Sequence, residues 1–150
     1  MGEPVILIRP VEPGDREAWQ ALWEGYLAFY KAALSPDITQ STWARLHDPS
    51  EPVHGLVAVL NGDVVGIVHY LFHLSTWTKG SYCYLEDLYA SDKARNRGIG
   101  RHLIEAVADR AREAGAARLY WNTHETNETA RALYDKVAVR SGFLQYRLPV

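Results

Sequence analysis

Apolar positions along the chain change period several times, and each change marks an element. Residues 5–8 form a short aliphatic, β-branched run that predicts a first strand. Pro13-Gly14-Asp15 interrupts it and opens a helix, with Asp15 and Glu17 near its positive end. The apolar stripe of that helix runs Trp19, Leu22, Trp23, Tyr26, Phe29, Tyr30 and Ala33, spaced by three and four. Ser35-Pro36-Asp37 starts a shorter helix that ends near Leu46. Residues 55–60 and 64–74 read as strands joined by Asn61-Gly62-Asp63, a strong hairpin signal. Residues 82–90 predict another strand. A glycine-containing loop then feeds a helix over 99–114, with Ile99, Leu103, Val107 and Ala111 on one face and Gly115 as its stop. Residues 118–123 predict a strand, and Thr126 or Asn127 caps a last helix with Ala130, Leu133, Tyr134, Val137 and Ala138 on its buried side. Gly142 ends it, and 143–148 predict a final strand.

The order is β-α-α-β-β-β-α-β-α-β. This predicts an α/β fold (α+β in some schemes), one domain over 1–150, built on a single mixed, mostly antiparallel sheet flanked by helices. Hairpin-linked early strands are antiparallel, and strands joined through helices are parallel. The change between the two styles is where chemistry is expected.

Composition narrows the function classes. A hydrophobic share of 47% and a charged share of 23% fit an ordinary globular protein. The net charge of −2 argues against a nucleic-acid partner. No apolar run reaches the roughly 20 residues of a membrane span. The first residues lack the pattern of a secretory leader, and Ile6 stands where a myristoylation signal needs Ser or Thr. A single cysteine, Cys83, excludes an internal disulfide and fits a reducing, cytoplasmic setting. His69 and His73, four apart in a strand, would stand about 13 Å from each other, so no metal site is expected.

The sharpest motif is Arg95-Asn96-Arg97-Gly98-Ile99-Gly100, directly before a helix. Backbone amides of such a turn can converge on one anion, and the helix N-terminus adds partial positive charge. Lys93 and Arg101 add cations nearby. The plainer reading is a helix start with glycines serving the turn. A dinucleotide fingerprint needs glycine at Leu103, and a phosphate-loop motif needs a Lys-Ser or Lys-Thr pair that is missing.

Tyr82-Cys83-Tyr84-Leu85-Glu86-Asp87-Leu88-Tyr89 places two acids in an interior strand. Strand alternation sends Glu86 and Asp87 to opposite faces, so no register solvates both. Burial of a carboxylate is costly unless it is paired. The acids are a base and an anchor for a cationic substrate, or they pair with arginines near a strand end.

Together these residues resemble the GNAT superfamily of acetyl-CoA-dependent N-acetyltransferases. The Arg-x-x-Gly-x-Gly segment is similar to that family's pyrophosphate signature, and residues 84–89 look like the preceding strand in its diamine acetyltransferase branch. Residues 121–127, 133–138 and 141–143 look closer to the branch with fungal histone and D-amino-acid acetyltransferases. The likeness is strong from about residue 54 onward and architectural before that. It departs at Asn96, where glycine is common, and at Asp92, where proline is frequent.

The resemblance implies that the Leu88, Tyr89 and Ala90 backbone pairs with the pantetheine arm as an added strand would. It implies that residues 95–101 (Arg95, Asn96, Arg97, Gly98, Ile99, Gly100 and Arg101) hold the pyrophosphate. Asn127 would contact the arm, and Tyr134 would stand near its sulfur. The plainer alternatives are a helix cap for Asn127 and a packed tyrosine for Tyr134. Cys83 reads as strand packing.

The expected chemistry is direct attack of a primary amine on the thioester. An alkyl ammonium with a pKa near 10.4 leaves about one molecule in 2,500 neutral at pH 7, so a base has work to do. Glu86 is the candidate base, directly or through water, and Tyr134 the partner of the departing thiolate. An amide near Leu88 would polarise the carbonyl. Asp87, Tyr26 and Tyr30 are the candidate acceptor contacts, in a wall that also includes Trp23, Trp43 and the loop at Trp77. A small amine, polyamine or amino acid is favoured. Protein or histone lysines and a non-catalytic acyl-CoA module are the alternatives. A nucleotide-binding module is a further rival, but it lacks the lysine and Mg²⁺ arrangement. The resemblance also implies a homodimer, through the C-terminal strand.

Overall fold

The computed structural model describes residues 5–94 and 96–150. Its elements are β1 (Ile6–Pro10), α1 (Arg16–Phe29), α2 (Pro36–Leu46), β2 (Val53–Leu60), β3 (Asp63–His73), β4 (Tyr82–Ala90), α3 (Ile99–Glu113), β5 (Arg118–Tyr120) and α4 (Glu128–Val137). The strands form one sheet in sequence order, antiparallel from β1 to β4 and parallel between β4 and β5. The β2–β3 turn works because Asn61 and Gly62 both take left-handed backbone angles, φ 52° and 85°.

Each face of the sheet buries a separate core. On one, Leu103 and Val107 of α3 pack on Leu56, Val68, Cys83 and Leu85. On the other, Trp19 and Trp23 of α1 and Trp43 of α2 cover Val57 and Ile67. Burying an aliphatic or aromatic side chain of this size contributes about 1.5–3 kcal/mol, so the two faces hold the helices independently. Asp15 does more than sit near a helix start. Its carboxylate receives both Arg9 nitrogens at 2.7 and 2.9 Å and the Glu12 amide at 2.7 Å, closing the turn between β1 and α1.

Four expectations need correction. Helix α1 stops at Phe29, which is exposed, and Lys31 turns left-handed at φ 53°, so Ala33 is off the stripe. Strand β5 ends at Tyr120, because residues 121–123 leave the β4 ladder. The stripe of α4 is only half-buried, and Ala138 lies past the helix end. Residues 143–148 form no strand: Phe143, Leu144, Tyr146 and Leu148 all stand exposed. A strand needs an edge to bond to, and this segment pairs with none among the described residues.

Candidate active site

Strand β4 carries the site because it is paired on both sides for only a third of its length. It bonds β3 throughout but meets β5 only at Tyr82, Cys83 and Tyr84. Past Tyr84 its outer edge has no strand partner among the described residues. Half of the peptide groups there face away from β3, open to an extended ligand.

A bulge sits at the point where the edge opens. The register passes from Tyr70 opposite Leu85 to His69 opposite Asp87, leaving Glu86 as the extra residue. Leu85 and Leu88 consequently both pack toward α3, while Asp87 meets His69 on the α1 side. Glu86 lies on the α1 side as well, within electrostatic reach of Tyr26 and Asp87. The two acids thus share one face, contrary to strict alternation. Desolvation first, and then the neighbouring Asp87 charge, push the Glu86 carboxyl above the ordinary value. A raised carboxylate is suited to accept a proton near neutral pH.

Helix α1 presents Tyr26 and Tyr30 to these acids. Tyr26 stands close to Asp87; burial, then the Asp87 charge, hold its phenol far above the usual value. Tyr30 is raised by burial and by Asp87, with its ring 4.9 Å from Tyr26 and 5.8 Å from His124. Tyr89 turns its side chain to α1, where a Cβ on Gly25 would come within 2.8 Å of the phenol oxygen. Only the Tyr89 backbone remains at the open edge. Trp23, buried in the core, stacks on Tyr26 with ring centroids 5.4 Å apart, whereas Trp43 belongs to the core and Trp77 is 80% exposed.

The turn before α3 has the geometry of an anion cradle. Asn96 takes φ 62°, and Gly98, the N-cap, takes φ 72°. Asparagine tolerates that region better than most residues, so its substitution for glycine leaves the turn intact. The Gly98 carbonyl accepts from the His102 amide at 3.0 Å as the first helical acceptor. The amides of Ile99, Gly100 and Arg101 precede it and have no helical partner. The first turn carries no acidic residue. Ile99 buries its side chain, Arg97 is exposed, and Arg101 bonds Glu105 at 3.0 Å. Arg95 lies outside the described residues.

Helix α4 closes the far side. Asn127 is its N-cap, accepting from the Ala130 amide at 3.5 Å, and its amide donates to Thr123 at 3.4 Å. Leu133 lies beside Gly100. The Tyr134 ring packs edge-on to Trp121 at 5.4 Å. Burial, then Tyr30, push its phenol up to about 12, so it keeps its proton at physiological pH.

One functional group escaped sequence reasoning. His69 bridges Trp19 and Asp87 by hydrogen bonds of 3.0 Å each. Trp19 and His69 are 50 positions apart, and only the β-alternation of His69 with Ile67 hinted that it faces the α1 core.

An open strand edge beside an uncapped helix N-terminus, with a raised carboxylate and a half-buried phenol at the opening, can bind a phosphorylated arm and deprotonate an amine. Residues 16–138 match the Acetyltransferase (GNAT) family. The chain belongs to that family. It is an N-acetyltransferase, similar to relatives named for acetylating amino groups. It is 40% identical over 144 residues to D-amino-acid N-acetyltransferase HPA3 of Saccharomyces cerevisiae, covering 95% of this chain and 89% of that one. It is 32% identical over 111 residues to thialysine N-epsilon-acetyltransferase of Caenorhabditis elegans, covering 74% and 69%. The fold matches ribosomal-protein-alanine N-acetyltransferase of Brucella melitensis with a TM-score of 0.82 at 23% identity, over 97% of this chain and all of that one.

Proposed function

We propose that this N-acetyltransferase domain, residues 1–150, acetylates the primary amine of a small molecule, an amino acid or polyamine, with acetyl-CoA as co-substrate. The observation that carries this reading is the bulge, which sets Glu86 and Asp87 side by side where the outer edge of β4 opens. The chemistry of the cradle fits the coenzyme. The Asn96 to Arg101 backbone would hold a pyrophosphate, with Arg95 and Arg97 as added charge, and the edge at Leu88, Tyr89 and Ala90 would pair with an amide-bearing arm. Asn127 would meet that arm from the α4 side. Acetyl-CoA supplies an acetyl thioester.

The residues divide the remaining work. Asp87, with Tyr26 and Tyr30, receives the cationic amine. Glu86, directly or through water, removes its proton. An amide near Leu88 polarises the carbonyl. The Tyr134 phenol hydrogen-bonds the departing thiolate; a value of about 12 lies well above that of an ordinary thiol, near 8.5, which favours a hydrogen bond over full proton transfer. Cys83 is fully buried with its thiol pushed up to about 11, which supports direct attack without an acyl-enzyme. The relatives named for D-amino acids and thialysine support an amino-acid acceptor.

The reading includes a homodimer, in which residues 143–148 add as a strand to a second copy. Their exposed apolar side chains, Phe143 at 83% and Tyr146 at 90%, support it. It also includes a cytoplasmic location, supported by the unpaired Cys83; among the described residues no helix is long and apolar enough to cross a membrane. Thiol release over a panel of D- and L-amino acids, diamines and a histone-tail peptide tests the acceptor. Turnover with small amines is expected; turnover with the peptide alone would overturn the small-molecule assignment.

A further inference from the structure

A buried imidazole ties the tryptophan core to the pair of acids. His69, 3% exposed in the middle of β3, stands directly opposite Asp87. Its Nε2 lies 3.0 Å from Trp19 Nε1, and its Nδ1 lies 3.0 Å from Asp87 Oδ2. An indole N–H can only donate, so Nε2 must be the bare nitrogen of the ring. The ring proton therefore sits on Nδ1 and is donated to Asp87.

Asp87 thus receives the His69 N–H at 3.0 Å, with the Tyr26 phenol close enough to feel its charge. Donors stabilise the ionised form of a carboxyl group. The adjacent acid, Glu86, has no hydrogen bond of this kind among the described contacts. The Asp87 carboxyl is thus held in one orientation by a donor, while the Glu86 carboxyl is left free to turn to an incoming amine. The other titratable groups facing this point are Tyr30 from α1 and Tyr84 from β4. Neither supplies a cation. The Asp87 side chain remains 14% exposed, which leaves it reachable from the cleft.

We propose that His69 is a positioning residue: locked by Trp19 as the Nδ1–H tautomer, it fixes the orientation of the Asp87 carboxyl group toward the ammonium group and leaves Glu86 as the acid free to act as base. This rests on the reading of Asp87 as the amine anchor. Trp19 and His69 touch no substrate. Their part is to divide the labour between two acids that would otherwise be interchangeable.

Ring-nitrogen NMR on the full chain tests the lock without turnover. The expected spectrum shows a protonated Nδ1 and a bare Nε2 at neutral pH; a protonated Nε2 would overturn the proposal. Kinetics test the consequence. In His69→Asn the amide N–H can stand in for Nδ1–H, whereas His69→Leu has no donor. His69→Leu is expected to raise the amine KM about tenfold or more with the acetyl-CoA KM unchanged, and His69→Asn to recover most of that loss. Equal amine KM in wild type and His69→Leu, or an Asn variant as impaired as the Leu variant, would refute it. Should His69→Leu fail to fold, Trp19→Phe keeps the ring packing and frees the tautomer; a mixed tautomer with a raised amine KM is expected, and an unmoved KM refutes the idea. A wild type that releases no thiol with any amine would instead defeat the underlying acceptor reading, while the ring-proton result stands by itself.

Discussion

Glu86 and Asp87 are neighbours on one strand, yet both face helix α1. The strand spends an extra residue at this point, with Tyr70 opposite Leu85 and His69 opposite Asp87. Alternation would have buried one acid against α3, among Leu103 and Val107, at the cost of an unpaired carboxylate in an apolar core. The bulge removes that cost and concentrates charge where the sheet opens.

Glu86→Gln tests the base directly. Partial desolvation and Asp87 raise the Glu86 carboxyl above the ordinary value, so the wild-type rate should climb with pH as that group ionises. The variant should lose about 10²-fold or more in kcat and lack that climb, with little change in acetyl-CoA KM. The pH–rate profile is the measurement. Because a raised carboxyl value disfavours the folded state once the group is ionised, the variant should be no less stable than wild type at neutral pH.

Tyr134→Phe should lower kcat and spare coenzyme binding. The lost bond is to a developing negative charge, worth roughly 1.5–3 kcal/mol, or about ten- to a hundredfold in rate. With the phenol at about 12, the wild-type profile should show no falling alkaline limb from this residue below about pH 10. Steady-state kinetics with both substrates varied separates the two parameters.

Gly98→Ala should weaken coenzyme A binding. The residue holds φ 72°, which costs an L side chain roughly 1–2 kcal/mol. Asn96→Gly, at φ 62°, should be neutral or slightly favourable for the turn. Calorimetric titration with coenzyme A distinguishes the two.

Asp15→Asn should destabilise the fold by about 1.5–3 kcal/mol at neutral pH. The hydrogen bond from Arg9, first, holds the Asp15 carboxyl below its ordinary value. Its contribution is complete above about pH 4 and is lost as pH falls through the lowered value. Denaturant unfolding at several pH values should show wild type and variant converging in acid.

Much of this arrangement was readable in the residues themselves. The Asn61-Gly62 turn, strand β4 over Tyr82–Ala90 and the glycine turn before Ile99 follow local rules of backbone freedom and periodicity, and they stand where those rules put them. The expectations that failed depended on partners distant in sequence. The bulge at Glu86 is set by pairing with β3. His69 meets Trp19 from 50 positions away, so no local pattern marks it. Residues 143–148 have the apolar content of a strand, but a strand also needs a bonded partner, and they have none among the described residues.

A crystal grown with coenzyme A tests the site most directly. Its pyrophosphate should rest on the backbone amides from Asn96 to Arg101, with the arm lying along Leu88, Tyr89 and Ala90. Coenzyme density elsewhere, with that turn empty and the outer edge of β4 bare, would contradict the account.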